Sequence, residues 1–288
     1  MRGVLNMNLP CQPDFTGKVA VVTGGAGVLC REFCKALALC GAKVAVLNRT
    51  LSRSEAVADE IRAAGGEAIA VPVDVTDPLS VNQAHCMVLD AYGKCDILIN
   101  GAGGNDPAAT ADDEFFSMDT LLDPEKKSFF DLTAEGFSGV FDLNIMGTLL
   151  PTQAFARDML EKGGCILNIS SMNAFTPLTK IPAYSAAKSG VSNFTRWLAV
   201  HFARCGIRCN AIAPGFFSTA QNRALLWNDD GTPTARTGKI LNATPMGRFG
   251  EPDELVGAVL FLLDEKSSGF ITGVVLPVDG GFNAYSGV

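Results

Sequence analysis

The chain has few of the residues that mark nucleic-acid, membrane or metal-binding proteins. Of its 288 residues, 23 are Lys or Arg and 30 are Asp or Glu, so a net charge of −7 offers little attraction to nucleic acid or an anionic membrane. The longest apolar runs, such as residues 256–263, are far shorter than the roughly 18 residues that predict a membrane span. Only two histidines, His85 and His201, accompany the nine scattered cysteines. We therefore expect no nucleic-acid partner, no membrane partner and no metal.

Cysteine usage and the first residues of the chain bear on where the protein works. Nine is an odd number, and several cysteines lie inside apolar patterns, where a free thiol acts as a small hydrophobic side chain. This usage favours a reducing, cytoplasmic setting. Residues 1–15 contain two prolines and no apolar segment typical of a signal peptide. We predict a short N-terminal tail over 1–15, followed by a single domain over 16–288.

Short β-branched runs alternate with helical patterns along the rest of the chain. The runs that predict strands are residues 18–23, 43–47, 67–73, 96–100, 165–170, 207–212 and 274–278. Such alternation predicts right-handed β-α-β units and a parallel sheet with helices on both faces. Pro72 and Pro277 lie in the third and the last run, and proline is tolerated mainly in edge strands. Both fit an α/β, doubly wound, seven-stranded parallel sheet of order 3-2-1-4-5-6-7, in which those strands are the edges.

Two connections are longer than the others. Residues 104–136 follow the fourth predicted strand and carry many carboxylates, and residues 216–246 follow the sixth. Ligands of open α/β sheets bind outside the carboxyl ends of the strands, where both connections begin. We predict an insert loop at 104–136 and a substrate lid at 216–246, with plain surface elaboration as the alternative.

A glycine-rich turn, residues 23–27 (Thr-Gly-Gly-Ala-Gly), follows the first strand and opens a helix. Glycines there let backbone N–H groups approach a pyrophosphate, and the helix N-terminus adds a favourable dipole. The second strand ends in Asn48 and Arg49, where an Asp or Glu would hydrogen-bond a ribose 2′-OH and repel a 2′-phosphate. The missing carboxylate favours NADP(H), with NAD(H) as the alternative in which Asn48 contacts the 2′-OH.

Tyr184 and Lys188 are four residues apart in a helical pattern, so they share one helix face. A nearby ammonium, together with an oxidised nicotinamide, stabilises a phenolate and lowers the tyrosine pKa toward the working pH. Ser171 stands thirteen residues before the tyrosine, at the end of the fifth predicted strand, where its hydroxyl can polarise a substrate carbonyl. A Tyr–Lys pair alone is usually part of an ordinary amphipathic helix, and the serine makes this a candidate catalytic group.

These motifs, in this order, resemble the short-chain dehydrogenase/reductase family over residues 18–282. Further matches are Asn144, which stands 27 residues before Ser171, and Asn100-Gly101-Ala102-Gly103 in place of the family's Asn-Asn-Ala-Gly. Family members have a Rossmann-type fold and transfer hydride to or from a nicotinamide dinucleotide. The resemblance therefore implies an NAD(P)-dependent oxidoreductase acting on CH–OH groups.

The resemblance also implies roles for individual residues. Tyr184 would be the general acid in reduction and the base in oxidation, while Lys188 lowers its pKa and holds the nicotinamide ribose. Ser171 would fix the carbonyl, and Asn144 would position a water that relays the proton. The implied dinucleotide contacts, besides Tyr184 and Lys188, are Gly24, Gly27, Leu29, Asn48, Arg49, Asp74, Val75, Asn100, Ala102, Gly103, Pro214, Gly215, Phe217 and Thr219.

The chain departs from the family pattern around the glycine-rich turn. The family places glycines at positions 28 and 30, where this chain has Val28 and Cys30. We expect Gly27 to take over the close approach to the dinucleotide through a shifted turn. The second Asn of the Asn-Asn-Ala-Gly motif is Gly101 here.

Within the family, the chain is similar to the branch that interconverts D-mannonate and D-fructuronate at C5. The similarity lies in the long connection after Gly103, in residues 170–175 and 214–217, and in the last residues, 284–288. A hexonate needs a cation or amides for its carboxylate and partners for its hydroxyls. The candidate substrate-binding residues are Ser171, Asn173, Gln221, Asn222 and Arg223. Gluconate/5-ketogluconate or another polyol is the alternative substrate, and helix capping is an alternative role for Arg223.

Two other functions fit the sequence less well. A non-catalytic dinucleotide-binding sensor has no need of all four catalytic residues, and an acyl-carrier-linked ketoacyl reductase needs a basic dock that this acidic chain does not offer.

The family resemblance implies a homotetramer. A broad apolar stripe on the helix that follows Tyr184 suggests a subunit interface. Its members are Phe194, Trp197, Leu198, His201 and Phe202.

Overall fold

A parallel β-sheet forms the centre of the computed structural model, which describes residues 13–218, 226–228 and 230–287. In these residues the strands are β1 (Val19–Thr23), β2 (Lys43–Asn48), β3 (Glu67–Pro72), β4 (Ile97–Asn100), β5 (Gly164–Ile169), β6 (Ile207–Pro214) and β7 (Val275–Val278). Their order is β3-β2-β1-β4-β5-β6-β7, and every neighbouring pair is parallel. The predicted fold class and strand order are confirmed.

The two prolines lie where the edge-strand rule requires. Pro72 is in β3 and aligns with Asn48 of β2, and Pro277 is in β7 and aligns with Ala213 of β6. β3 and β7 are the outermost strands of the sheet that the described residues form. Since an edge strand pairs on one side only, a proline there can lack an N–H without breaking a ladder between two strands.

Helices cover both faces of the sheet. In the described part of the chain they are α1 (Val28–Leu39), α2 (Leu51–Ala63), α3 (Pro78–Tyr92), α4 (Met118–Leu122), α5 (Ala134–Phe141), α6 (Gly147–Met159), α7 (Pro182–Phe202), α8 (Ala235–Ala243), α9 (Val256–Leu263) and α10 (Glu265–Ser268). A π-helical turn, Asp142–Met146, joins α5 to α6. The start of α3 is fixed by its first residues, because Asp77 at the N-cap accepts the Leu79 N–H at 3.0 Å and Pro78 stands at the first helical position.

The core lies on both sides of the sheet. In β1, Ala20 and Val22 pack into the apolar cluster that includes α1 and α9, whereas Val19 and Val21 pack into the cluster that includes α3 and α6. All four are buried, so a strand without polar alternation is stable here. Each fully buried valine contributes about 1.5–3 kcal/mol relative to an exposed one.

Three details differ from the sequence predictions. Phe15, the last residue of the predicted tail, is buried, and its N–H donates to the Cys40 carbonyl at 2.7 Å. Leu198, assigned to the exposed stripe, lies in the core because it is seven residues after buried Val191 and shares its helix face. The insert at 104–136 is more than a loop, since it contains α4 and two short 3₁₀ turns.

Within residues 13–218, 226–228 and 230–287, no helix is both long enough and apolar enough to cross a membrane. The same residues contain no group of three or more His, Cys, Asp or Glu side chains that could hold a metal ion. Eight cysteines fall in this part of the chain, and all are free thiols.

Candidate active site

The catalytic candidates meet where β5 and β4 end. α7 begins at Pro182, so Tyr184 and Lys188 stand on its first two turns. The Ser171 hydroxyl lies close enough to the Tyr184 phenol to act on its pKa, and Lys188 Nζ lies 5.6 Å from the centre of the tyrosine ring. Lys188 is buried and donates a 2.7 Å hydrogen bond to the carbonyl of Ile169, the last residue of β5. The helix and the strand tip therefore bring the three side chains together.

A backbone contact fixes the orientation of the Ser171 hydroxyl. Ser171 caps a short 3₁₀ turn, Met172–Ala174, and its Oγ accepts the N–H of Asn173 at 3.2 Å. A serine hydroxyl has one proton, and a lone pair is already used by this N–H. The proton therefore remains for donation, toward the Tyr184 phenol or toward a substrate oxygen. The sequence places the serine but does not predict this orientation.

Asn144 reaches the same place from the π-helical turn. Its Nδ2 donates to the carbonyls of Val140 and Gly104, each at 2.8 Å. A Cβ on Gly103 would lie 2.7 Å from Asn144 Oδ1 and 3.0 Å from Lys188 Nζ. The absence of a side chain at position 103 thus lets the asparagine and the lysine approach one backbone segment. The sequence analysis assigned Gly103 to the dinucleotide and missed this spacing role.

Burial controls the protonation of the pair. It raises the pKa of the Tyr184 phenol above its usual value, with the Ser171 hydrogen bond acting in the opposite direction. Burial lowers the pKa of Lys188 from 10.5 to about 8. The expected lowering of the tyrosine pKa by the ammonium is thus outweighed by burial in the protein alone. At neutral pH the site holds a neutral phenol beside a cationic amine, the form suited to donating a proton.

These pKa directions predict the pH dependence of ketone reduction. As pH rises through about 8, Lys188 loses its charge while Tyr184 keeps its proton, so the phenolate left by proton donation loses its stabilising cation. We expect kcat/KM for reduction to be level between about pH 6 and 7 and to fall above about 8, by up to tenfold per unit. Initial rates across that range test this. A level profile up to pH 9.5 would contradict the assignment to Lys188.

The glycine-rich turn brings the tips of β1 and β4 close together. Gly24 has φ +63°, and a Cβ there would lie 2.9 Å from the backbone of Ala102. Gly27 stands at the N-cap of α1, where no side chain caps the helix and its first turn carries no acidic residue. The open N–H groups of this 12-residue helix therefore suit an anion such as a pyrophosphate.

Polar groups flank this turn at the tips of β2 and β3. Asn48 is half-buried and Arg49 is exposed, and Arg53 Nη2 donates to the Ala26 carbonyl at 3.4 Å. Asp74 accepts the hydroxyl and the N–H of Thr76 at 2.6 and 2.9 Å, and these bonds hold the pKa of Asp74 below its usual range. The β2 tip thus offers an amide and guanidinium groups, with no carboxylate of its own.

Some predicted contact residues have buried side chains. Asn100 is buried, and its Nδ2 donates to Thr152 Oγ1 at 2.9 Å and to Asn168 Oδ1 at 2.8 Å, so its amide ties β4 to β5 and α6. Val75, Pro214 and Phe217 are also buried. Asn100 Oδ1 has no hydrogen-bond partner, so the structural role of this side chain lies in its nitrogen, and a dinucleotide contact by these four residues stays a prediction. Asparagine at a strand tip gives no signal in sequence that separates the two roles.

The remaining predicted residues are placed as follows. Leu29 is half-buried in α1, and a Cβ on Gly215 would lie 2.6 Å from Asp279 Cα. Asn173 is 3% exposed, and its Oδ1 has no hydrogen-bond partner. Lys180, which precedes α7, donates to the Asp112 carbonyl and anchors the insert. Thr219, Gln221, Asn222 and Arg223 lie outside the described residues.

Comparisons with known proteins agree with this geometry. The model of the short chain dehydrogenase family matches residues 18–229. A crystal structure of a candidate D-mannonate oxidoreductase from Haemophilus influenzae, with bound NAD, is 54% identical, spans 98% of this chain and 100% of its own, and has a TM-score of 0.93. An uncharacterized oxidoreductase, UxuB, from Bacillus subtilis is 52% identical over 97% of this chain and 100% of its own. The 5-keto-D-gluconate 5-reductase of Escherichia coli is 30% identical over 93% of this chain and 96% of its own.

Proposed function

The chain belongs to the short-chain dehydrogenase family and is an oxidoreductase that acts on CH–OH groups, and from this premise we propose that it interconverts D-fructuronate and D-mannonate. The reaction transfers a hydride between a nicotinamide dinucleotide and C5 of the hexonate. The observation that carries the proposal is the convergence of Tyr184 and Ser171 beside the buried amine of Lys188.

The site residues divide the proton chemistry between them. A bound NAD(P)H supplies the hydride to the carbonyl carbon. Tyr184 donates its proton to the carbonyl oxygen, and the Ser171 hydroxyl donates a hydrogen bond to the same oxygen, so that ketone, hydride and proton give the alcohol. The Lys188 ammonium stabilises the phenolate that remains. Asn144 lies beside the Lys188 amine and belongs to the path that returns a proton to that amine.

The dinucleotide fits the carboxyl edge of the sheet. The pyrophosphate would lie at the uncapped N-terminus of α1, where Gly24 and Gly27 leave the backbone uncovered. The adenosine ribose would lie at the β2 tip near Asn48 and Arg49, and the adenine near Asp74. Because that tip carries a guanidinium and no carboxylate, we propose that NADP(H) is favoured and that NAD(H), present in the Haemophilus influenzae protein, is also accepted.

Relatives support a six-carbon keto acid as substrate. The Haemophilus influenzae protein is a candidate D-mannonate oxidoreductase, and the Escherichia coli relative reduces 5-keto-D-gluconate. Both substrates are hexonates that react at C5 and differ in the configuration of their hydroxyls. Reduction of 5-keto-D-gluconate is therefore the second candidate function. A dinucleotide sensor without catalysis is disfavoured because Tyr184, Ser171 and Lys188 meet in one place.

The experiment that tests the function follows oxidation of NADPH and NADH in parallel. D-fructuronate, 5-keto-D-gluconate and an unrelated simple ketone are offered to the same protein. Fast turnover of D-fructuronate, with a higher kcat/KM for NADPH, is the expected result. Turnover restricted to 5-keto-D-gluconate would select the second candidate, and binding of dinucleotide without turnover of any ketone would overturn both.

Asn173 gives a further prediction for substrate recognition. An unpartnered buried oxygen costs free energy unless a ligand supplies a donor, and a hydroxyl next to the reacting carbonyl is such a donor. Asn173→Ala should raise KM for the hydroxy-ketone substrate by about threefold to tenfold and leave the dinucleotide Kd unchanged. Asn82→Ala, on exposed α3 surface, is the matched control. An equal effect on a ketone that lacks neighbouring hydroxyls would refute this role.

Two features beyond the catalytic group complete the proposal. We propose that 216–246 acts as a lid over the substrate with Gln221, Asn222 and Arg223 as contacts, and an ion pair between Lys239 of α8 and Glu114 joins it to the insert. We also propose a homotetramer in which the exposed face of α7 is a subunit interface. On that face the Trp197 ring stacks on those of Phe194 and His201, and Trp197 is 54% exposed.

A further inference from the structure

Cys30 and Gly101, two residues at which the chain departs from the family pattern, lie against each other in the fold. Cys30 is in the first turn of α1, and Gly101 follows the tip of β4. A Cβ on Gly101 would lie 2.2 Å from Cys30 Sγ and 2.8 Å from the Thr23 carbonyl oxygen. No real Cβ approaches a heavy atom so closely, so the thiol occupies the space that a side chain at position 101 would need.

Space alone requires glycine at position 101. Gly24, in the neighbouring turn, has φ +63°, a conformation that other residues rarely adopt. Gly101 is not among the glycines with positive φ, so an alanine there would meet no backbone strain. The contact with Cys30 is therefore the closest obstacle to a side chain. Removing the sulfur would leave the two Cβ atoms at an ordinary 3.6 Å, and the Thr23 carbonyl oxygen would still lie 2.8 Å from the new Cβ.

The contact between Cys30 and Gly101 lies where the tips of β1 and β4 meet, at the edge of the sheet that is assigned to the dinucleotide. Thr23 Oγ1 accepts the N–H of Gly101 at 3.1 Å and that of Ala102 at 3.3 Å. Cys30 is 4% exposed and packs beneath this junction in the apolar core of α1. Burial raises the pKa of its thiol to about 12, so it stays neutral and acts as a small apolar side chain.

We propose that Cys30 and Gly101 are a compensating pair that sets the spacing between the glycine-rich turn and the β4 tip, which makes Cys30 a positioning residue for the dinucleotide. The proposal rests on the proposed function, because it assigns the dinucleotide to this edge. It also accounts for both departures at once: the bulk that is missing at position 101 is supplied by the residue at position 30.

A double-mutant cycle with Gly101→Ala and Cys30→Ala tests the pair. Gly101→Ala should raise the Kd for NADPH and NADH by about tenfold or more and lower Tm, and Cys30→Ala should have a smaller effect through the cavity it leaves. The double variant should bind several-fold more tightly than the product of the single effects predicts. Recovery should be partial, since the 2.8 Å contact with the Thr23 carbonyl remains.

Two control variants separate positioning from general stability. Gly257→Ala makes the same change where no atom lies within 4 Å of the new Cβ, and it should leave Kd unchanged. Cys165→Ala removes a buried thiol at the amino end of β5, and it should lower Tm without changing Kd.

Additive effects of the two substitutions on both Kd and Tm would overturn the pairing. If Gly101→Ala fails to fold, recovery of soluble protein in the double variant supports the pairing. Failure of the double variant to fold overturns the pairing. Absence of dinucleotide binding by the unmodified protein would refute the proposed function instead. The Tm cycle would then still decide whether the two residues compensate.

Discussion

Replacing Tyr184 with phenylalanine should lower kcat for ketone reduction by about 10³-fold. The substitution removes only the hydroxyl, which lies close to Ser171, and leaves the ring beside the Lys188 amine. The hydride donor then remains bound while the proton donor is missing. The Kd of NADPH should therefore stay within about twofold of its original value, because one hydroxyl contributes at most a modest net free energy to binding. Stopped-flow reduction and fluorescence titration measure the two quantities.

Tyr92→Phe is the matched control for this prediction. Tyr92 ends α3, contacts the Lys43 ammonium through its ring, and is remote from the carboxyl ends of the strands. Burial raises the pKa of its phenol to about 12, so it resembles Tyr184 in being a protonated, partly enclosed phenol. Its substitution should leave kcat unchanged. If Tyr184→Phe kept most of its activity, the general acid would have to be another group.

Replacing Lys188 with methionine should reduce activity and preserve stability. The ammonium is lost from the site, so the phenolate formed in the reaction has no neighbouring cation, and we expect kcat to fall by on the order of 10²-fold. KM for the dinucleotide should rise as well if the amine holds the nicotinamide ribose. Stability should not fall with activity, because burial disfavours the charged amine, as its lowered pKa of about 8 shows. Methionine fills a similar volume without that cost.

The two readouts are kcat and Tm, measured on the same samples at pH 7. A Tm that is unchanged or higher, together with the loss of kcat, is the expected pair of results. Lys94→Met is the control, because Lys94 is an exposed lysine that forms a surface ion pair with Glu161. A parallel loss of Tm and activity in Lys188→Met would assign the lysine a structural role through its bond to the Ile169 carbonyl.

Much of the fold follows from local patterns in the sequence. The strands of the described sheet begin and end within two residues of the predicted runs, because short β-branched segments between helical patterns are encoded locally. The edge positions of Pro72 and Pro277 follow from a missing N–H, which is a property of the residue itself. The strand order could be predicted because the order of dinucleotide-binding sheets, extended by a seventh strand, places the two runs that contain proline at the edges.

Only part of the candidate site could be predicted from local patterns. Tyr184 and Lys188 could be paired because a helix repeats every 3.6 residues, and Ser171 could be placed because it follows a strand. Asn100 was assigned to the dinucleotide, yet its amide is used inside the protein by Thr152 and Asn168. Whether a polar side chain at a strand tip turns outward or inward depends on partners that come from other elements, which no local pattern contains.

The sequence by itself determined the class of fold, the strand order and the residues from which a hydride-transfer site can be built. Each of these follows from periodicity, from backbone chemistry or from the order of motifs along the chain. Only the tertiary structure decided how the groups fit together, because fit depends on contacts between distant segments. In the tertiary structure the Asn173 N–H donates to the Ser171 hydroxyl and orients it, and Lys180 donates to the Asp112 carbonyl. Cys30 lies against Gly101 at a spacing that leaves no room for a side chain.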